Sequence, residues 1–502
     1  MKESLDFIYK QQKEISTLGG VSALLGWDQL TYMPAHGANE RSEQSAYISR
    51  LSHDKIIEDK FWRHVQILTK QQNFNDLSEK DRFVVKRLER DLEKARKIPS
   101  SFVEKISRAT TIGYQAWEEA RKKNDFNFFA PYLKKIVDLE KEYCDFINLP
   151  GPRYNSLLDY YEEDMAVDIL RKEFKNLKSK LVKLIDKIKS STIYDKQIIP
   201  DIKFHLKLQQ KINSLIIKKM NLPMDKARID VSTHPFTTSL GNDDIRITTN
   251  YDRPGPLFSF FSIVHEAGHA LYELGLPRDE FIDTVISDSA SVGLHESQSR
   301  FWENMIARSH PFWKHFYPLF KKFSPYSFKN ISFDDWYRFV NIVRPSLIRV
   351  DADELTYCLH IILRFEIEVL LIQDEIRISE LPSIWNEKMD DMLGIVPKNY
   401  KDGVLQDMHW SGGNFGYFPT YAIGSIYSAQ LFNKLTRQKP EVYNEIENGE
   451  FGNILNWLRE NVHRYGRLMT ADEIIKKTCG EGLNSKVYID YLKKKYLSLY
   501  QV

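Results

Sequence analysis

His265 and His269 stand four residues apart in Phe261 to Glu273, FSIVHEAGHALYE. The stretch otherwise reads as helix, so both imidazoles leave the same face one turn apart. Glu266 lies about 100° further round, near enough to touch a water on a shared metal without being a ligand. The pattern is HExxH, and its alternative is a solvated helix face carrying two histidines. A catalytic zinc takes three protein ligands and leaves a fourth position to water, so the two histidines need a third partner. In helical HExxH hydrolases a Glu about 20 to 30 residues downstream, on a second helix, usually supplies it. Glu296 follows at that distance and heads an amphipathic run from Gly293 through Phe301, Trp302, Met305 and Ile306. Its neighbour His295 is also a competent ligand. Adjacent helical side chains diverge by about 100°, so only one of the two faces the metal.

The elements that must hold these side chains are mostly helical. Ser78 and Asp81 open one helix, Val84, Leu88, Leu92 and Ala95 form its apolar stripe, and Pro99 ends it; Ser101 with Glu104 opens the next. Leu170, Phe174, Leu177, Leu181, Leu184 and Ile188 alternate steps of four and three, which predicts a helix of about 19 residues with lysines on its other face. Trp27 to Pro34 has no usable helical period. Between Arg228 and Tyr251 the period becomes two, and Ile229, Val231, Ile245 and Ile247, with turn chemistry at Gly241 to Asp243, predict a small antiparallel sheet. It lies next to the HExxH helix, where an edge strand is placed to hold an extended peptide or simply closes the helical body. Asp244 and Arg246 share one face of that strand as a pair. Pro345 to Glu368 reads as a long helix. Gly403 to Tyr421, rich in glycine and aromatics, reads as a substrate-contacting loop or a packed connection.

Length and composition narrow the class. The 502 residues are 42% hydrophobic, and length alone suggests about three domains. No linker, repeat or low-complexity segment divides them, so the expected architecture is one mainly α body spanning 1–502, with a long central groove. Within it, 1–222 forms a helical N-terminal half and 223–502 a catalytic half. The 71 Lys plus Arg against 69 Asp plus Glu leave a net charge of +2, with no basic excess for nucleic acid or an anionic membrane. Cys144, Cys358 and Cys479 are widely spaced and odd in number, which argues against a disulfide framework. With no apolar signal segment or span of about 20 apolar residues, the expectation is a soluble cytoplasmic protein.

The motifs together amount to a resemblance. HEAGH (His265 to His269), HESQ (His295 to Gln298), HPF (His234 to Phe236), DIRIT (Asp244 to Thr248), IRVDAD (Ile348 to Asp353) and GVLQDMHW (Gly403 to Trp410) are similar to motifs of the carboxypeptidase Taq family, in the same order. Trp27 to Pro34 resembles that family's N-terminal segment, so the likeness covers nearly the whole chain. It implies a mainly helical, metal-dependent carboxypeptidase that releases C-terminal amino acids. It further implies a homodimer whose long narrow groove admits only unfolded or short peptides. It also favours Glu296 over His295 as the third ligand.

On that footing His265, His269 and Glu296 hold one divalent ion per chain, zinc being expected although cobalt and manganese accept the same nitrogen and oxygen ligands. The ion activates a water, and Glu266 takes the proton and passes it to the leaving amine. Tyr421 and His234 are candidate donors to the oxyanion. A carboxypeptidase must also recognise a free carboxylate, and the fork of Arg349, assisted by His409, suits that task. The alternative for Arg349 is an ion pair with Asp351 or Asp353. The competing activities are those of a helical HExxH oligoendopeptidase or a dipeptidyl carboxypeptidase, and the competing class is a helical scaffold without a metal.

Overall fold

The computed structural model describes every residue except Ile198, Arg253, Pro254 and Pro256. Helices run from Lys2 to Lys219, and three short strands follow: β1 (Ala227–Val231), β2 (Thr237–Gly241) and β3 (Asp244–Thr249). The HExxH helix, Phe258–Glu273, comes next, and helices resume to Tyr500. The stripe foreseen from Leu170 to Ile188 lies on Val167–Lys189, and all six of its apolar residues are buried. At about 1.5–3 kcal/mol for each large apolar side chain removed from water, that face alone binds the helix firmly to the body. One apolar core extends from Phe102 to Tyr500, while a smaller one gathers Ile8, Phe61, Val65, Leu88 and Leu92 with Phe281 and Ile286.

Four local expectations are corrected. The sheet has the order β1-β3-β2, with β1 parallel to β3 and only β2 antiparallel to it, so it is mixed. The chain turns back twice, at Ser232 to Phe236 and again at Asn242 and Asp243, which returns β3 to the direction of β1. Trp27 to Thr31 is helical, the last turns of Lys2–Thr31. No aliphatic stripe marks those turns because Trp27 packs on cations, with Arg246 4.2 Å and Arg228 5.2 Å from its ring centre. Pro345 to Thr356 is not helical apart from the short turn Arg349–Asp351, and the long helix is Tyr357–Ile372. The Asp353 carboxylate accepts the backbone N–H groups of Arg344, Leu355 and Thr356, which fixes the irregular path instead. The helix after Pro99 begins at Ser100 with no side-chain cap, so Ser101 and Glu104 form no capping box.

Candidate metal centre and carboxylate-binding cluster

Two helices bring the candidate metal-binding side chains together, and a missing side chain lets them. Gly268 lies between the two histidines. A Cβ there would come within 2.7 Å of Ser299 Cα and 2.8 Å of the Gln298 carbonyl, so glycine admits the helix Val292–Arg300 at close range. From the other side, Gly424 of the helix Phe418–Gln438 leaves room for the stem of Glu296. Glu296 Oε2 then stands 3.6 Å from His265 Nε2 and 3.4 Å from His269 Nε2, and one ligand atom from each residue lies within 4.8 Å of the others. Those separations are long for hydrogen bonds but fit a shared ion. Donors about 2.0–2.2 Å from a tetrahedral zinc stand about 3.4 Å apart.

The neighbours prepare each ligand. His265 Nδ1 lies 2.9 Å from Glu303 Oε2, so a proton on Nδ1 leaves the Nε2 lone pair toward Glu296. Arg300 Nε donates to Glu296 Oε1 at 2.7 Å, and Arg308 Nη2 to Glu303 Oε1 at 3.1 Å. His269 stacks on His295 at 4.5 Å between ring centres. His295 turns its Nε2 to Glu273, 2.9 Å away, and is not brought to the ligand trio. Burial, then His295, push His269 down to about 3, so its ring is neutral. Burial would also lower His265, but Glu296 and Glu303 outweigh it and raise the ring above its ordinary value. Against the effect of burial, Arg300 leads in holding Glu296 and Glu303 well below the usual carboxylate range.

Glu266 is buried beside this trio. Its Oε2 accepts the Thr237 hydroxyl at 2.6 Å, and its carbonyl accepts the same hydroxyl at 3.0 Å, so β2 fixes the carboxylate. Burial raises its pKa. His234 is exposed in the link from β1 to β2, and its carbonyl accepts the Ser232 hydroxyl at 2.6 Å. Among the described residues it is not brought against the trio.

Arg349 lies in a second cluster. Its Nε and Nη2 meet Asp407 Oδ1 at 3.0 and 2.9 Å, while Arg364 Nε meets Asp407 Oδ2 at 2.7 Å. The ion pair weighed as the alternative for Arg349 does form, but with Asp407 of the GVLQDMHW stretch rather than with Asp351 or Asp353. The Arg349 guanidinium also stands 5.3 Å from the Tyr421 ring centre and 5.5 Å from that of Phe418. His409 has Nδ1 3.9 Å from Asp407 Oδ1 and packs against Phe418. Tyrosines join the clusters: Tyr421 lies 6.2 Å from Tyr357, whose ring carries Arg300 at 4.3 Å. The two guanidiniums hold Asp407 well below the usual carboxylate range despite its burial. Arg246 pairs with Asp244 at 2.9 Å, as the alternation along β3 predicts.

Sequence reasoning missed Thr237, Glu303, Arg300, Arg364 and Asp407. Glu296, Arg300 and Glu303 do recur at steps of four and three on one helix face, a signal that was available. A groove of about 800 Å³ reaches the metal helices at His295 and Ser289 to Val292.

A model of the carboxypeptidase Taq (M32) metallopeptidases matches residues 7–496. The chain is 39% identical to thermostable carboxypeptidase 1 of Pyrococcus furiosus over 498 residues, 99% of each chain. It is 38% identical to carboxypeptidase 1 of Bacillus subtilis over 500 residues, 99% of this chain and 98% of that one. It superposes on the crystal structure of an M32 carboxypeptidase from Deinococcus radiodurans R1 with a TM-score of 0.95, at 33% identity and covering all of both chains.

Proposed function

The chain belongs to the carboxypeptidase Taq (M32) metallopeptidase family and is a metallocarboxypeptidase, and from that premise we propose which of its residues perform the reaction. His265, His269 and Glu296 hold one divalent ion, zinc in our reading, with cobalt and manganese suited to the same ligands. The bound ion supplies Lewis acidity and an activated water. Glu266 is the general base. Thr237 leaves it one aimed carboxylate, and its burial lets it take a proton and pass it to the departing amine. Glu303 fixes the tautomer of His265.

Arg349 receives the terminal carboxylate of the peptide. It shares Asp407 with Arg364, so two guanidiniums face one carboxylate and a second anion is welcome. His409, pushed down to about 4 chiefly by burial, is a neutral ring that assists without adding charge. Tyr421 lies between the clusters and is the better placed oxyanion donor, since the exposed His234 is not brought against the trio among the described residues. We further read residues 1–502 as one catalytic body, acting as a cytoplasmic homodimer on peptides with a free C-terminus. No helix among the described residues is long and apolar enough to cross a membrane, and none of the three cysteines is paired.

The observation that carries this reading is the convergence of two imidazole Nε2 atoms on one oxygen of Glu296. Its test pairs metal analysis with product analysis. Wild type should carry about one divalent ion per chain and release single residues from a free-acid peptide but not from its C-terminal amide. Equal cleavage of both, or release of dipeptides, would reject the assignment of Arg349 in favour of endopeptidase or dipeptidyl chemistry.

A further inference from the structure

Tyr143, Tyr160 and Tyr161, with Ile98 and Val103, line both of two adjoining cavities. On one side is the groove of about 800 Å³ that reaches His295. On the other is a side pocket of about 290 Å³, bounded also by Ile98, Val103 and Phe102. The groove is lined by His295, whose ring stacks on His269, so it opens beside the candidate metal site and offers space for peptide residues upstream of the scissile bond.

The side pocket is mostly apolar and aromatic, and besides its tyrosines its polar lining residues are Asn414 and one carboxyl. Glu140, from the helix Phe126–Ile147, lines it, is 5% exposed, and makes no hydrogen bond or ion pair among the described residues. Glu368 nearby is its contrast, accepting the Tyr154 hydroxyl at 2.6 Å, Trp410 Nε1 at 2.7 Å and the Gly416 N–H at 2.9 Å. One buried carboxyl is thus fully served by donors and the other by none. Burial, with the charge of Glu368 adding, pushes Glu140 up to about 8. A buried polar group without a partner costs free energy that an entering partner restores.

We propose that this side pocket is a subsite for a basic side chain of the peptide, upstream of the bond that is cut. The aliphatic stem of a lysine or arginine lies along Ile98, Val103 and Phe102, and its cation meets Glu140. Long cationic side chains bury their stems while keeping the head polar, and tyrosine faces add attraction for the cation. A purely apolar side chain leaves Glu140 without a partner. The proposal rests on the assignment of Arg349 to the terminal carboxylate.

The test uses the zinc-loaded enzyme and peptides carrying lysine, Nε-acetyl-lysine or norleucine at each of the three positions upstream of the scissile bond. At one position lysine should exceed both analogues by about tenfold or more in kcat/KM for release of the last residue, the effect of one charge-assisted contact. In Glu140→Gln the lysine to norleucine ratio should fall to about one. Ratios near one at all three positions of wild type overturn the subsite whatever the variant does. A preference that survives Glu140→Gln overturns it too, because another acidic group is then responsible. Were no peptide to lose its last residue, the assignment of Arg349 would fail first and take the subsite with it, a result distinct from equal rates.

Discussion

Around His265 and His269 the protein gathers three carboxylates, Glu266, Glu296 and Glu303, against two guanidiniums, Arg300 and Arg308. Around Arg349 it places two guanidiniums against the carboxylate of Asp407. Each buried cluster is left with excess charge, negative in the first and positive in the second, which suits the dication and the carboxylate proposed for them. Leaving charge uncompensated away from water is costly, so a ligand of opposite charge would complete each proposed site. Tyr357 and Tyr421 lie between them. In the proposed reaction a peptide's last residue would bridge that separation.

The comparison breaks most sharply if the two clusters fail independently. Glu296→Ala or His269→Ala should release the ion and abolish turnover, while the variants still bind a free amino acid at Arg349; metal analysis and calorimetry read the two properties apart. Glu266→Gln should keep the ion and lower kcat by about 10²–10⁴, the usual contribution of a general base. Loss of the ion in that variant would mean that Glu266 belongs to the ligand set after all. On the cationic side, Arg349→Met should cost about a hundredfold in kcat/KM on free-acid peptides, near 3 kcal/mol, and erase the discrimination against C-terminal amides. Its metal content should not change.

The same contrast explains what could be seen beforehand. The negative cluster is local. HEAGH and Glu296 sit on two helices whose spacing can be counted, and Gly268, which allows their approach, lies inside the motif. The positive cluster joins Arg349, Arg364 and Asp407 from three separate elements. No periodicity connects residues so far apart, and the nearer acids Asp351 and Asp353 offered a false pairing. Asp353 instead ties down the turn that precedes Tyr357. The sheet was misjudged for a related reason. Alternation reveals strands but not their direction, and the link at Ser232 to Phe236 carries no turn signal strong enough to show that the chain reverses twice. Trp27 hid its helix because its burial is against cations rather than aliphatic side chains.

A finer test concerns the support behind the ligands. Glu303 meets His265 from a stretch, Phe301–Ala307, that widens from α to π geometry, a local departure often found where side chains must be aimed. Glu303→Gln should weaken zinc affinity by about 10 to 100-fold with kcat restored at saturating metal, as loss of an outer-shell carboxylate does. An unchanged affinity, measured by competition with a chelator, would reduce Glu303 to a partner of Arg300 and Arg308.

The smallest expected effect separates the clusters by pH. His409 is pushed down to about 4 and His360 to about 3, chiefly by burial, with guanidinium charge from Arg349 and Arg364 acting in the same direction. An unfolded histidine titrates near 6.5. Above that pH both rings are neutral in either state and their contribution to stability is complete. As pH falls from about 6.5 to 4 the unfolded chain takes up protons that the folded cluster refuses, so stability declines over that window. Urea midpoints at pH 7.5 and 5.0 should therefore differ less in His409→Gln than in wild type. Asp407, held ionised by two guanidiniums, adds nothing to the slope until the pH is lower still. An unaltered slope in His409→Gln would mean that this ring accepts its proton in the folded protein, and that burial and the two guanidiniums do not hold it neutral.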